Sequence, residues 1–506
     1  MTMTSRVLGL IRDVTIANYF GSKGEADAFF VAFKIPNFFR RLFAEGAFSQ
    51  AFVPVLSEYR TQRSIESVRD LVSKVSGLLG GVLILLTVLV VIASPLVAIL
   101  FAPGFWMNDS EKYQLTSSLI AITFPYLMLI SLAGLASAVL NSYDRFMVPA
   151  ITPALLNICL LSATVVSSRW FDEPVFALAW GVMLAGVVQL LFQLPFLAKI
   201  HLLPPPKLDW RDSGVRRILL LMVPALFGVS VSQINLLLDV VIASFLPTGS
   251  VSWLYYSDRL AELPLGVFGI AIATVILPSL SRQYSRENSE KFGSTIDWAL
   301  RLVLLLGLPA AIALVILAEP ILLTLFGYGE MTLRDIEMAS WSLCAYAFGL
   351  CGFMLIKVLA PGYFSRQDMK TPVRIGIIAM TSNMVMNLVF VWILHDQYQL
   401  GHVGLAAATT LSAFLNAGLL YRGLRKEKVY QPQPNWVRFS LQLLFSLVVM
   451  ATGLLLALQY LNGWLEWSVW QRALNMALIC VGGGMLYVGA LLVAGVRVSQ
   501  LKHVSD

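Results

Sequence analysis

Charged residues recur in this chain where an apolar sequence should not hold them. The stretch FKIPNFFRRLFAEGAF, from Phe33 to Phe48, carries Lys34, Arg40, Arg41 and Glu45 with no loop-like composition around it. Arg6, Arg12, Asp13 and Asp27 precede it, and Ser252, Asp258, Arg259 and Glu262 repeat the theme in the second half. Arginine stays charged, and its planar fork matches phosphate oxygens in pairs. Such a set fits the binding of an anion, whereas a site for organic cations would need unpaired carboxylates and aromatic rings.

Spacing sorts these residues. Asp27, Lys34 and Arg41 are seven apart and Glu45 follows by four, which predicts a charged seam along one helix face, largely self-paired. Arg40 falls roughly 100° round a regular helix from Arg41. Arg40 is therefore expected to serve an anion and Arg41 the structure. Arg6 and Asp13 share a face while Arg12 points elsewhere, and Ser252, Arg259 and Glu262 share another, flanked by Asp258. The residues alone leave two readings open. One is a set of interhelical salt bridges holding two lobes together; the other, preferred here, is a cationic central cavity in which the acids orient the guanidinium groups. Each charge at a bilayer centre costs at least about 2.5 kcal/mol, so both readings keep these groups away from lipid.

The elements that must position them are membrane helices. Of 506 residues 58% are hydrophobic and 13% charged, well outside the range of soluble domains. Apolar runs of the roughly 20 residues a helix needs to cross a bilayer recur along the chain. Fourteen spans are predicted, at about 4–20, 26–58, 71–101, 114–142, 148–168, 175–199, 216–246, 251–282, 294–325, 334–361, 369–395, 402–424, 438–461 and 471–496. This is an all-α polytopic membrane protein. With the amino terminus inside, 23 basic residues fall in inner connections and five outside (Lys23, Lys112, Arg169, Arg334, Arg472), which sets both termini in the cytoplasm.

A weak internal repeat is legible. AFVPVLSEY ending at Tyr59 matches VILPSLSRQY ending at Tyr284, and SYDRFMVP from Ser142 matches SRQDMKTP from Ser365 at nearly the same offset. The repeat predicts two six-helix lobes in parallel relation, 1–201 and 216–428, joined by a proline-stiffened cytoplasmic linker at 202–215, with two further helices and a tail over 429–506. Pro36 with Gly46, and Pro264 with Gly266 and Gly269, are candidate hinges.

Several chemistries are excluded or left open. Cys159, Cys344, Cys351 and Cys480 sit in apolar runs without paired spacing and read as small buried hydrophobes. The four histidines form no zinc constellation. There is no phosphate-binding loop and no dinucleotide fingerprint, so no nucleotide, nucleic acid or other cofactor is expected. No cleavable signal peptide is expected, because Arg6, Arg12 and Asp13 interrupt the first apolar stretch. Transport would run on an ion gradient, on membrane potential or on the substrate's own gradient. Asp239, closing SQINLLLD, is a candidate Na⁺ or H⁺ ligand, although for a single carboxylate a salt-bridged or hydrogen-bonded role is the stronger reading.

SRVLGLIRD from Ser5, DAFFVAFKIPNFFRRLFAEGAFSQAFVPVLSEY from Asp27, SVSWLYYSDRL from Ser250 and VLAPGYFSRQDMKTPV from Val358 resemble the MurJ (MviN) family, the bacterial lipid II flippases of the multidrug/oligosaccharidyl-lipid/polysaccharide (MOP) exporter superfamily. The resemblance covers essentially the whole chain. Family members usually carry a further stretch before the position of Met1, so helix one is expected to be truncated here or to start at another codon. The resemblance implies two lobes around a cavity that opens alternately inward and outward, and two last helices forming a groove for the lipid tail. It carries the family's needed arginines onto Arg6, Arg12, Arg40 and Arg259, with Asp27, Ser252 and Glu262 supporting. It implies an inner-membrane transporter, not an enzyme, whose partners are lipid II, membrane lipids and cell-wall synthases. Export of another polyprenyl-linked glycan, a non-transporting cell-wall scaffold and a cation-coupled drug exporter are the competing readings.

Overall fold

The computed structural model describes residues 2–286 and 289–496. Within them the side chains at 2–3, 43–45, 167–170, 227–229, 231–232, 270, 289 and 396–397 lie outside the description. Glu45, Arg169 and Ser232 are thus known by backbone alone, and the tail residues Arg497 and Lys502 fall outside altogether. Contacts divide the chain into two compact units, 1–252 and 253–506.

The first unit runs through α1 (Thr2–Phe20), α2 (Gly24–Phe39), a π-helical segment (Arg40–Phe48) and α3 (Ser49–Gln62). It continues with α4 (Ile65–Ile92), the short α5 (Ser94–Phe101) and α6 (Pro103–Asn108), then α7 (Ser110–Thr123), α8 (Tyr126–Ser142), α9 (Met147–Trp170), α10 (Val175–Lys199) and α11 (Ser213–Ala243). The start of α12 (Ser250–Pro264) completes it. The second unit takes the rest of α12, a π-helical segment (Leu265–Gly269), α13 (Ile270–Ser285), α14 (Ser289–Ile316), α15 (Ala318–Phe326), α16 (Leu333–Phe364), α17 (Lys370–Tyr398), α18 (Gly401–Lys426), α19 (Trp436–Tyr460) and α20 (Val469–Val493). Among the described residues there is no strand, and eleven helices are long and apolar enough to cross a membrane. The charge-rich segments 2–20 and 24–62 are not among those eleven. Leucines and valines left exposed along α4, α19 and α20, such as Leu85, Leu89, Leu444 and Leu455, form the surface that lipid covers.

The repeat reappears in the packing. Phe48, Phe52 and Leu56 lie in the core of the first unit, and Ile272, Ile276 and Leu280, each 224 positions on, lie in the core of the second. The π-helical segments sit at corresponding places before α3 and α13. In the SYDR and SRQD turns Asp144 (φ 61°) and Gln367 (φ 62°) both take the left-handed conformation. Each turn is closed by the same bond, from Arg145 N–H to Leu140 O at 2.9 Å and from Asp368 N–H to Tyr363 O at 3.1 Å. Few identical side chains survive between the halves, yet the same positions still decide what is buried and where the chain turns.

The segment between α10 and α11 is fastened to the first unit. Lys207 N–H donates to Ser73 O at 3.0 Å, the Ser73 hydroxyl donates to Pro205 O, and Lys74 Nζ reaches Asp212 at 2.9 Å. Gly77 permits this approach, since a Cβ there would stand 2.1 Å from Lys207 O. Asp212 then caps α11, accepting from Gly214 N–H and Val215 N–H. The α11 helix, which the repeat counts with the second half, packs with the first unit against α3 and the Arg40–Phe48 segment.

Candidate functional site

Arg40 opens the π-helical segment, four residues after Pro36. A proline withholds the N–H that would bond four residues back, so the ladder is interrupted at Ala32 O, which accepts instead from Thr123 Oγ1 at 3.3 Å. The Asn37 amide donates to Phe33 O at 2.9 Å, and its Oδ1 accepts from Arg40 Nε at 3.2 Å. Asn37 thus orients the guanidinium; the sequence reading passed over it, although its i,i+3 spacing from Arg40 is visible. Arg40 is half-buried and lines a cavity of about 770 Å³ inside the first unit, bounded by the π-helical segment with α3 and by α8, α9 and α10. Arg41, one position on, is exposed and has no ion pair among the described residues. Lys34 is half-buried on α2.

Asp27, 1% exposed, does not join a seam along its own helix. Its Oδ1 accepts from Ser252 N–H at 2.9 Å and Ser252 Oγ at 2.6 Å; its Oδ2 accepts from Gly249 N–H at 2.7 Å and Lys112 Nζ at 3.1 Å. The carboxylate of one helix therefore caps the first turn of another, where unpaired N–H groups and the helix dipole both favour negative charge. Gly249 has φ +99°, a conformation that suits glycine. Lys112, expected in an outer loop, is buried in α7, where its ammonium also donates to Thr248 Oγ1 and lies 4.4 Å from the Phe105 ring centre. Eighty-five residues separate Asp27 from Lys112, so no local pattern could announce the pair.

In α1 the geometry also departs from helical spacing. Arg12 and Asp13, 3% and 1% exposed, bond each other: Nε and Nη2 of Arg12 reach Asp13 Oδ1 at 2.9 and 2.6 Å. Adjacent residues point about 100° apart on a helix, but the arginine is long enough to fold back. Arg12 Nη1 donates to Asn157 Oδ1 at 3.0 Å, and Asn157 Nδ2 donates to Ser5 O, which ties α1 to α9. Arg6 stays half-buried, with no ion pair among the described residues, so it does not share Asp13 as spacing suggested.

Within the second unit Arg259 is half-buried; its Nη1 stands 3.5 Å from Glu262 and its guanidinium lies 5.7 Å from the Tyr255 ring centre. Asp258 and Glu262 are exposed. Asp239 is half-buried on α11 of the first unit, one turn beyond Asn235, whose Oδ1 is buried and has no hydrogen-bond partner among the described residues. Two buried charges of the second unit were not foreseen. Asp297 accepts from Arg301 Nε, Tyr430 OH, Gln433 N–H and Trp436 Nε1 at 2.7–3.1 Å, fastening the start of α19 to α14. Arg472, placed in an outer loop by sequence, is buried and donates to Leu323 O and Gly327 O, the carbonyl end of α15. A cation is favoured at that end of a helix dipole.

Taken together, eleven apolar helices of membrane-crossing length among the described residues and two units with repeated internal geometry define a polytopic helical membrane protein. A multidrug resistance transporter of the MATE family, in an inward-facing conformation, shares this fold with a TM-score of 0.68 over 84% of this chain and 95% of that one, at 15% identity. A solved lipid II flippase MurJ, in an inward closed conformation, aligns with a TM-score of 0.78 over 97% of this chain and 98% of that one, at 27% identity. The family model described as lipid II flippase MurJ matches residues 16–476. A probable lipid II flippase MurJ of Vibrio cholerae is 51% identical, covering 100% of this chain and 96% of that relative; the lipid II flippase MurJ of Burkholderia cenocepacia is 41% identical, covering 99% and 97%. The chain belongs to the MurJ lipid II flippase family, a family of transporters rather than enzymes.

Proposed function

We propose that this protein moves lipid II, the undecaprenyl-pyrophosphate-linked disaccharide-peptide, from the cytoplasmic to the periplasmic leaflet of the bacterial inner membrane, with both its termini in the cytoplasm. The observation that carries this reading is Arg40, oriented by Asn37 on the wall of a cavity large enough for a ligand. The guanidinium binds the pyrophosphate, with Arg6 and Arg259 as further half-buried cations on the substrate's path. Arg12 and Asp27 act differently, as members of closed hydrogen-bonded sets that hold helices in place.

Alternating access gives the Asp27 set a task. Its four contacts from Lys112, Gly249 and Ser252 form a latch that holds α2 to the beginning of α12 in one conformation and must open in the other. The two π-helical segments are where the long helices 24–62 and 250–285 bend as it does so. Membrane potential or an ion supplies the direction, and Asp239 with Asn235 is the proposed Na⁺ or H⁺ ligand. Membrane lipids flank the apolar faces, and cell-wall synthases are the proposed downstream partners.

The test is translocation of lipid II in proteoliposomes, with and without an imposed potential. Wild-type protein should expose lipid II on the far leaflet and Arg40→Ala should not. Equal exposure by both, or none by the wild type under any potential, would overturn the reading.

A further inference from the structure

Among apolar residues, the cavity that holds Arg40 presents a set of neutral polar side chains, and one of them is incomplete. Gln189, 2% exposed, donates from Nε2 to Thr152 O at 2.9 Å. A backbone carbonyl can only accept, so that bond fixes which way the amide faces and leaves Oε1 as the free end. Oε1 is buried and has no hydrogen-bond partner among the described residues. One turn on, Gln193 is wholly buried, and its Oε1 accepts from Ser137 Oγ at 3.0 Å. Asn141 adds a third amide to the same wall.

Leaving a polar atom unpaired inside a membrane protein is unfavourable, and native structures hold few such atoms without a reason. The free atom here is an acceptor, so it calls for a donor or a cation. The charged residues of the lining are Arg40, Arg60 and Asp144, and Asp144 is paired with Arg60 at 3.3 Å. A net positive lining disfavours a cation and leaves a neutral hydroxyl or amide N–H. About 770 Å³ is far more than one water requires and lies within the range of ligand pockets.

We propose that Gln189, with the Gln193–Ser137 pair and Asn141, is a recognition wall for the sugar–peptide head of the substrate: Gln189 Oε1 accepts a hydroxyl or amide hydrogen from it while Arg40 holds the pyrophosphate. This rests on the flippase reading and adds to it a division of labour. Arg40 reads the charge common to all polyprenyl pyrophosphates, and the amide wall reads what is attached.

Binding of two probes to the purified full-length protein in detergent, lipid II and bare undecaprenyl pyrophosphate, tests the division by native mass spectrometry. The wild type should prefer lipid II. Gln189→Leu should weaken lipid II binding roughly five- to tenfold, the worth of one hydrogen bond, and leave undecaprenyl pyrophosphate unchanged. Arg40→Ala should weaken both. Because Gln189 also bonds Thr152, Asn141→Ala is the second variant: its side chain has no hydrogen bond among the described residues, and it should show the same selective loss to a smaller extent. A merely structural role would lower the binding of both probes together, and that outcome, or no change in either variant, overturns the proposal. A wild-type protein that binds undecaprenyl pyrophosphate as tightly as lipid II overturns it while sparing the flippase reading; one that binds neither overturns both.

Discussion

Arg40 and Arg41 are neighbours in sequence with different surroundings. Arg40 is oriented by Asn37 beside the cavity, and Arg41 is exposed. Arg40→Ala is expected to abolish lipid II translocation with little change in melting temperature, and Arg41→Ala to leave translocation within about twofold; proteoliposome assays and thermal melts of both variants check this. On the proposed reading, losing Arg40 removes a charge-assisted pair of bonds to phosphate, each among the stronger kinds of hydrogen bond. Asp27 behaves otherwise, because it is buried with Lys112. Removing one partner of a buried ion pair strands the other and costs about 3–5 kcal/mol. Asp27→Ala should therefore lower the melting temperature markedly, and the double variant with Lys112→Met should recover part of the loss. Additive losses in that double-mutant cycle would show that the two groups do not act as a pair.

At the scale of elements, single polar residues fasten helix ends. Asp297 accepts four hydrogen bonds, three of them from residues 430–436. Asp297→Ala leaves buried donors without an acceptor, at about 1–3 kcal/mol each. Hydrogen exchange over 430–440 should accelerate while α16 and α18 keep their protection; unchanged exchange would mean that apolar packing alone docks α19. In the turn before α17, the hydroxyl and N–H of Thr371 hold the Asp368 carboxyl below the usual carboxylate range. A depressed folded value stabilises the protein above the unfolded pKa of about 3.9, and this contribution disappears as pH falls through the lower, folded value. The stability gap between wild type and Asp368→Ala should be constant near neutrality and shrink below about pH 4, as followed by melts between pH 7 and 3.

For the whole molecule, the basic residues of the loops predict orientation. Lys112 and Arg472, counted as outer-loop charges, are buried in the fold, so the asymmetry between the two sides is sharper than the raw count of 23 against five. In a variant lacking the four native cysteines, Arg145→Cys should react with an impermeant thiol reagent only after the cells are permeabilised, and Lys23→Cys should react in intact spheroplasts. The reverse pattern would overturn cytoplasmic termini.

How much of this was legible beforehand depended on the distance over which each feature is encoded. Membrane class, helical architecture and the presence of charges that must avoid lipid follow from composition and local apolar runs, because a bilayer imposes its requirement on every segment separately. The repeat was legible for a similar reason, since both halves bury residues at the same positions even where identities differ. Gln189 and Gln193, an i,i+4 pair of amides in an apolar run, were readable as a polar face and went unread. Arg259 and Glu262, three apart, pair as spacing suggested, but the partners of the buried charges were not readable. Helical spacing joined Asp27 to Lys34 and Arg6 to Asp13; the fold joined Asp27 to Lys112 and Ser252, and Arg12 to Asp13 and Asn157. A charge in a low-dielectric interior takes whichever partner satisfies it in three dimensions, and the π-helical turn at Arg40–Phe48 breaks the very period from which the sequence argument was built. The sequence by itself determined that charges sit inside apolar stretches of a membrane protein; only the tertiary structure decided which of them hold the helices and which face the cavity.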